Sequence, residues 1–166
     1  VFSFPIGVTG PSLVSLDLNN DGFFDMVIFY ATNVIPFPEQ TVAYLNNGVD
    51  NFTAISTNLP ASASGGIRAG DYNNDGKVDV SISGGSGLTV NLNVNGTAIM
   101  SSISISIGST GMYHMPGDFD GDNMLDIIHN QGSISPGVQI QSPLNTYTYS
   151  VSGVPSVGGS GAVFAG

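Results

Sequence analysis

A nine-residue acidic pattern occurs three times in this 166-residue chain and constrains its fold more than any other feature. One copy, DYNNDGKVD at residues 71–79, places side-chain oxygens at positions one, three, five and nine and a glycine at position six. The other copies are DLNNDGFFD at residues 17–25 and DFDGDNMLD at residues 118–126. Calcium takes about six to eight oxygen ligands at roughly 2.3–2.6 Å, so a short loop must turn several oxygens inward. The pattern therefore predicts three calcium-binding loops.

The negative charge of the chain is concentrated in these loops. The formal net charge is −10, and of the twelve acidic residues only Glu39 and Asp50 lie outside the three patterns. Three bound Ca²⁺ ions would bring the formal net charge to −4. Only Arg68 and Lys77 are cationic, and the lack of a basic patch argues against nucleic acid as a partner. The chain has no cysteine, which excludes disulfides and a thiol nucleophile. Its apolar runs are too short for membrane insertion.

The rest of the chain predicts an all-β fold built from repeats. Helical periodicity is almost absent, and glycine and proline separate short segments rich in β-branched residues. The first aspartates of the three patterns are 54 and 47 residues apart, a spacing typical of a four-stranded propeller blade. Each pattern is followed by segments that predict a second, a third and a fourth strand. The second strands are predicted at 26–29, 80–82 and 125–128, the third at 41–45, 88–92 and 137–140, and the fourth at 52–55, 103–107 and 147–151.

These motifs resemble the FG-GAP/VCBS repeat family, the calcium-binding β-propeller blades also found in integrin α-subunits. The resemblance is carried by GDYNNDGKVDV at residues 70–80 and by the strand–turn–strand segment from residue 42 to residue 52. It implies antiparallel four-stranded blades within a larger propeller, typically of seven blades. The predicted division is the end of a preceding blade at 1–9, blades at 10–60, 61–109 and 110–157, and the first strand of a truncated blade at 158–166.

The resemblance also implies one Ca²⁺ per loop, held by five residues, with the backbone carbonyl acting at position seven. The first set is Asp17, Asn19, Asp21, Phe23 and Asp25; the second is Asp71, Asn73, Asp75, Lys77 and Asp79; the third is Asp118, Asp120, Asp122, Met124 and Asp126. The third set has four carboxylates, and we expect it to bind calcium most tightly. Its sixth residue is Asn123 instead of glycine, and asparagine tolerates the left-handed conformation that the turn requires.

Competing interpretations of the motifs are weaker. An EF-hand needs a glutamate at position twelve and flanking helices, whereas position twelve is Ile28, Ile82 or His129 and the flanks predict strands. A single Asp-Gly pair could be only a hairpin turn, but three copies in register with clustered carboxylates favour a cation site. His114 and His129 are interpreted as packed or surface residues near the loops, because no suitably spaced cysteine or second histidine accompanies either one.

The predicted function is a non-catalytic, extracellular or cell-surface propeller segment that recognises glycans or proteins in adhesion. In this interpretation the Ca²⁺ ions stabilise the fold, and further blades of the same propeller or of another chain complete the ring of blades. Two alternatives stay open. One is the propeller domain of a secreted polysaccharide-degrading enzyme whose catalytic residues lie outside this chain, and the other is a structural component of a cell-surface assembly or filament.

Overall fold

The computed structural model describes residues 8–32, 39–49, 51–61, 66–84, 87–94, 100–105, 113–131, 134–142 and 146–150. In these ranges the chain forms strands and connecting loops, and no helix there could cross a membrane. The strands are β1 (Val8–Leu16), β2 (Asp25–Thr32), β3 (Glu39–Asn46), β4 (Phe52–Ile55), β5 (Gly66–Gly70), β6 (Asp79–Gly84), β7 (Gly87–Asn93), β8 (Met100–Ile105), β9 (His114–Gly117), β10 (Asp126–Gln131), β11 (Ile134–Ser142) and β12 (Thr146–Ser150).

The strands form three antiparallel sheets of four strands each, which confirms the predicted all-β class. Sheet 1 contains β1 to β4, sheet 2 contains β5 to β8 and sheet 3 contains β9 to β12, with neighbours along the chain paired in every case. Such meanders need only short connections, which glycine, asparagine and proline supply. At the turn between β3 and β4, for example, Gly48 adopts a φ of 77°. This arrangement agrees with propeller blades.

The sheets pack face to face, with their first strands side by side, because β5 contacts both β1 and β9. We call the contact between sheets 1 and 2 the first interface and the contact between sheets 2 and 3 the second interface. The first interface is an apolar cluster of Leu16, Leu18, Val27, Phe29, Ala43, Leu59, Ile67, Val80 and Ile82. Alternation along each strand presents these residues on one face of the sheet. Fully burying a side chain of this kind contributes roughly 1.5–3 kcal/mol.

The second interface has a smaller apolar cluster and an additional polar component. Its apolar members are Tyr72, Leu88, Val90, Leu92 and Ile127, with Ile103 and Leu125 packed against them. Beside this cluster, His114 and His129 of sheet 3 are buried, together with Ser81 and Ser83 of sheet 2.

The strand predictions agree with the structure in type and order, and the differences lie at the ends of the elements. β1 begins at Val8, two residues before the predicted start of the first blade. β8 begins at Met100, three residues earlier than predicted, and β11 begins at Ile134. The preceding blade at 1–9 is described only from residue 8 onward, and the truncated blade at 158–166 lies outside the described residues.

Candidate metal centre

Each acidic pattern is the connection between the first and second strands of a sheet. Eight residues separate β1 from β2, β5 from β6 and β9 from β10, and the ninth-position aspartate opens the following strand. All the predicted ligands therefore lie in these three loops or at the first residue after them. We number the loops one to three in chain order and give positions within each from its first aspartate.

The three loops share one backbone conformation, which requires positive φ at positions four and six. Asparagine and glycine tolerate this conformation better than other residues. The φ values are 62° at Asn20, 56° at Asn74 and 84° at Gly121 for position four, and 89° at Gly22, 81° at Gly76 and 66° at Asn123 for position six. The prediction that Asn123 accommodates the left-handed turn is confirmed. The third loop keeps both residue types but exchanges their order, so Gly121 takes the place that asparagine holds in the other loops.

The first aspartate of each loop organises the turn by accepting hydrogen bonds from the loop backbone. In loop two, Asp71 accepts the N–H of Asp75 at 3.0 Å and that of Gly76 at 2.8 Å, one on each carboxylate oxygen. Loop one has the same two bonds at the same distances. In loop three, Asp118 additionally accepts the N–H of Gly121 at 2.7 Å. The carboxylate is thereby held inside the turn, where a cation ligand has to be.

The ninth aspartate is buried and joins the loop to the sheet. Asp79 accepts the N–H of Tyr72 at 2.8 Å on one oxygen and the N–H of Asn93, at the end of β7, at 2.7 Å on the other. Asp25 makes the equivalent bonds to Leu18 and Asn46. Burial raises the pKa of Asp79 to about 6, although the two N–H groups act in the opposite direction. An adjacent cation would favour the ionised carboxylate.

The fifth aspartates are exposed and are turned partly toward their own loop. Asp75 accepts the N–H of Lys77 at 2.9 Å, and its second oxygen forms an ion pair with the Lys77 ammonium at 2.7 Å. Burial acts to raise the pKa of Asp75, but hydrogen bonds from Lys77 and Asn73 outweigh it and leave the pKa below its ordinary value. The sequence indicated only a carbonyl ligand at Lys77, whereas its side chain competes with a cation for one oxygen of Asp75.

The third loop brings its carboxylates closest together. Oxygens of Asp118, Asp120 and Asp126 lie within 4.8 Å of one another. Two ligands on opposite sides of a Ca²⁺ ion would be roughly 4.6–5.2 Å apart, so the three carboxylates are close enough to contact one such ion together. Asp122 is not part of the group, and one of its oxygens accepts the N–H of Met124 at 2.8 Å. Across the described residues, neither of the other loops brings three carboxylates within that distance.

The loops are also the places where neighbouring sheets meet, which the sequence analysis did not predict. Position two points into the following sheet, and both Leu18 and Tyr72 are completely buried there. Position eight faces the preceding sheet: Val78 packs on the first apolar cluster and Leu125 on the second. The Leu-Asn pairs that end β3 and β7 are the sequence signal that was overlooked, since the side-chain amides of Asn46 and Asn93 donate to the carbonyls of Phe24 and Val78 at position eight.

Both histidines are packed between sheets, one of the two settings that the sequence analysis proposed for them. His114 Nε2 lies 2.7 Å from Ser81 Oγ, and His114 Nδ1 lies 3.0 Å from Ser83 Oγ. Ser81 Oγ is in turn 2.7 Å from the hydroxyl of Tyr72. This serine–histidine arrangement is closed to solvent, so a substrate cannot reach it.

Comparison with protein families finds two copies of the FG-GAP-like repeat, at residues 17–82 and 71–129. The matched segments begin at the first and second loops and together run to the strand after the third loop, over more than half of the chain. Searches of curated proteins and of solved structures returned no match. Repeats of this family are typically non-catalytic. The matched segments, the four-stranded sheets and the acidic loops agree, and the chain belongs to the FG-GAP repeat family.

Proposed function

We propose that each of the three loops binds one Ca²⁺ ion and that the ions stabilise the fold without taking part in chemistry. The observation that carries this proposal is the convergence of Asp118, Asp120 and Asp126 within 4.8 Å in a loop whose backbone conformation recurs in the other two. Three carboxylates at that distance repel one another, and a divalent cation removes the repulsion. The chemistry of the donor set, oxygen alone, fits calcium.

In this proposal the ion connects the exposed tip of each loop to the buried sheet. Positions one, three and five lie on the solvent side, whereas the ninth aspartate is anchored among backbone N–H groups. A cation shared between the two sides would hold the first strand against the second. The third loop, with four carboxylates, is proposed to bind most tightly, and Asp122 would have to release the Met124 N–H or use its second oxygen.

We further propose that the three sheets are part of a larger propeller of seven blades, the number that the family resemblance implies. The ends of the stack support this proposal. Position eight packs on a preceding sheet at Val78 and Leu125, yet the equivalent Phe24 is 71% exposed. Position two is completely buried at Leu18 and Tyr72, yet the equivalent Phe119 is 36% exposed. Further blades of the same propeller would cover both side chains.

The proposed biological role is recognition of a glycan or a protein at the cell surface or outside the cell, as in adhesion. A chain with only 8% charged residues and many serine, threonine, asparagine and glycine residues suits such a setting. Extracellular modules use calcium sites with dissociation constants of about 10⁻⁴–10⁻³ M, which external calcium can fill. Stability would then depend on the free calcium concentration.

Calcium removal tests the proposal directly. We expect EDTA to lower the melting temperature of the chain, since the carboxylates lose their counter-ion, and excess CaCl₂ to restore it. Differential scanning calorimetry measures both steps, with MgCl₂ as the control cation, because magnesium demands a smaller octahedral site. The same melting temperature in EDTA and in CaCl₂ would contradict the calcium proposal.

A further inference from the structure

We infer that Asn93 couples calcium binding in loop one to calcium binding in loop two. Asn93 is the last residue of β7 in sheet 2, is almost completely buried, and bonds to both loops. The inference rests on the proposed calcium function and concerns how two sites influence each other, which the function itself does not require.

Asn93 makes three hydrogen bonds, one of which crosses the first interface. Its backbone N–H donates to Asp79, the ninth residue of loop two, at 2.7 Å. Its side-chain amide donates to the carbonyl of Val78 in the same loop at 3.3 Å. The same amide nitrogen donates to the carbonyl of Leu18 in loop one at 2.7 Å. One side chain therefore joins the eighth and ninth positions of one loop to the second position of another.

The contact at Leu18 is well placed to affect the first site. Leu18 lies between the predicted ligands Asp17 and Asn19, and its peptide orients both neighbours. Leu18 is completely buried, so water cannot replace Asn93 as the hydrogen-bond donor to its carbonyl. Loss of the bond from Asn93 would therefore leave a buried acceptor without a partner, which is costly. The Leu18 N–H is also fixed, because it donates to Asp25 at 2.8 Å. The N–H of Leu18 is thus held within loop one, and its carbonyl is held by sheet 2.

Coupling follows from the cost of ordering the loops. A cation in loop two would fix Asp79, and with it Asn93 and the Leu18 carbonyl. Loop one would then lose less conformational entropy when its own cation binds, which gives positive cooperativity without a change of shape. The effect is reciprocal, because a coupling free energy acts equally on both sites.

Sheet 1 contains a matched control. Asn46 ends β3 as Asn93 ends β7, its N–H donates to Asp25 at 2.8 Å, and its amide donates to the Phe24 carbonyl at 3.2 Å. The remaining side-chain oxygen of Asn46 accepts the N–H of Gly48 within the same sheet. Within the described residues Asn46 bonds to one loop only. Asn46→Ala therefore removes only side-chain bonds within sheet 1, whereas Asn93→Ala removes the side-chain bond to Val78 and also the bond between the loops.

The experiment measures the calcium affinity of loop one by calorimetric titration of the full chain with CaCl₂. All variants carry Asp118→Ala to remove the third site, and loop two is either intact or disabled by the equivalent change Asp71→Ala. With Asn93 present, we expect disabling loop two to weaken binding in loop one at least about fivefold, the lower end of usual coupling factors. In Asn93→Ala the same step should change the affinity less than about twofold, and in Asn46→Ala the fivefold effect should remain.

The outcomes separate the two proposals. Two results would overturn the coupling alone. In one, both loops bind calcium in the protein with Asn93, but their affinities do not depend on each other. In the other, disabling loop two still weakens binding in loop one fivefold in Asn93→Ala. No calcium binding in any variant would overturn the proposed function and the coupling together. If circular dichroism shows that Asn93→Ala does not fold, Asn93→Ser takes its place, because its hydroxyl is too short to reach Leu18 and leaves a smaller void.

Discussion

The two interfaces between sheets are held together by different kinds of contact. In the first interface, apolar side chains such as Val27, Phe29 and Ile82 meet across the sheets. In the second, sheet 2 presents Ser81 and Ser83 to His114 of sheet 3, and these residues are buried beside the apolar cluster. Apolar packing has no direction, whereas buried polar groups must find partners, so the second interface requires a defined arrangement of donors and acceptors.

The hydrogen bonds of the second interface form one consistent chain. Ser83 donates to the carbonyl of Gly66 at 3.4 Å, so its oxygen accepts from His114 Nδ1. His114 Nε2 then accepts a hydrogen bond from the hydroxyl of Ser81, whose oxygen accepts one from the hydroxyl of Tyr72. Each of the two serine hydroxyls donates once and accepts once in this chain, and the imidazole is neutral. A second proton on His114 would reverse the bond to Ser81 and bury a positive charge.

The interfaces also differ in how they accommodate the loops. Gly70 ends β5, and a side-chain carbon there would lie 2.5 Å from the Leu125 side chain of loop three. The equivalent pair in the first interface is Leu16 and Val78, which both pack in the apolar cluster. In the first interface the large Leu16 on the strand faces the smaller Val78 on the loop. In the second, Gly70 on the strand faces the larger Leu125 on the loop. This exchange accounts for the difference between Leu16 before loop one and Gly70 before loop two.

The largest expected effect is the loss of an apolar side chain from the first interface. Phe29→Ala should destabilise the chain by about 3–5 kcal/mol, because it removes buried surface and leaves a cavity. Urea unfolding followed by circular dichroism measures the change, and it should be equal at pH 7 and pH 4.5, since no titrating group is involved. An effect below about 1 kcal/mol would show that the first interface contributes little to stability.

The second prediction concerns the pH dependence of the second interface. Burial, followed by the positive charge of Arg68, lowers the pKa of His114 to about 3. The unfolded chain takes up this proton near pH 6.5, so stability is lost as the pH falls from 6.5 toward 3. Between pH 7 and pH 4.5 the contribution of His114 amounts to about 2–3 kcal/mol.

Comparison with His114→Gln isolates the contribution of His114 to the pH dependence of stability. Burial raises the pKa of Asp79 to about 6 and lowers that of His129 to about 4, and both groups titrate in both proteins. Only the difference between the two proteins therefore reports on His114. We expect the stability advantage of the wild-type chain over His114→Gln to shrink as the pH is lowered from 7 to 4.5. An advantage that is constant over this range would mean that His114 does not need to be neutral.

The smallest expected effect tests the exchange of residue sizes at the loops. Gly70→Ala should destabilise the chain by about 1–3 kcal/mol, because the new methyl group collides with Leu125. Adding Leu125→Val, which copies the size of Val78 in the first interface, should recover part of the loss. The two changes are in contact, so a double-mutant cycle by urea unfolding measures their coupling. Additive losses would contradict the proposed exchange.

Much of the candidate site could be predicted, because a loop is a local structure. Side-chain oxygens at alternate positions, with glycine or asparagine at position six, indicated three similar turns, and the backbone has that form. Residues distant in the sequence could not be placed in the same way. The bond between Asn93 and Leu18 spans 75 positions, and no local pattern indicates which carbonyl the amide reaches.

The sequence by itself determined the all-β class, the four-stranded repeat and the position of each acidic loop, because alternation, turn residues and spacing act over a few neighbouring residues. The tertiary structure alone decided which faces meet. It made the first interface apolar and the second hydrogen-bonded, and it turned His114 from one of two isolated histidines into the centre of a buried chain of hydroxyl groups. Such partners are selected by packing between sheets, where a buried polar group is stable only opposite a group that satisfies it.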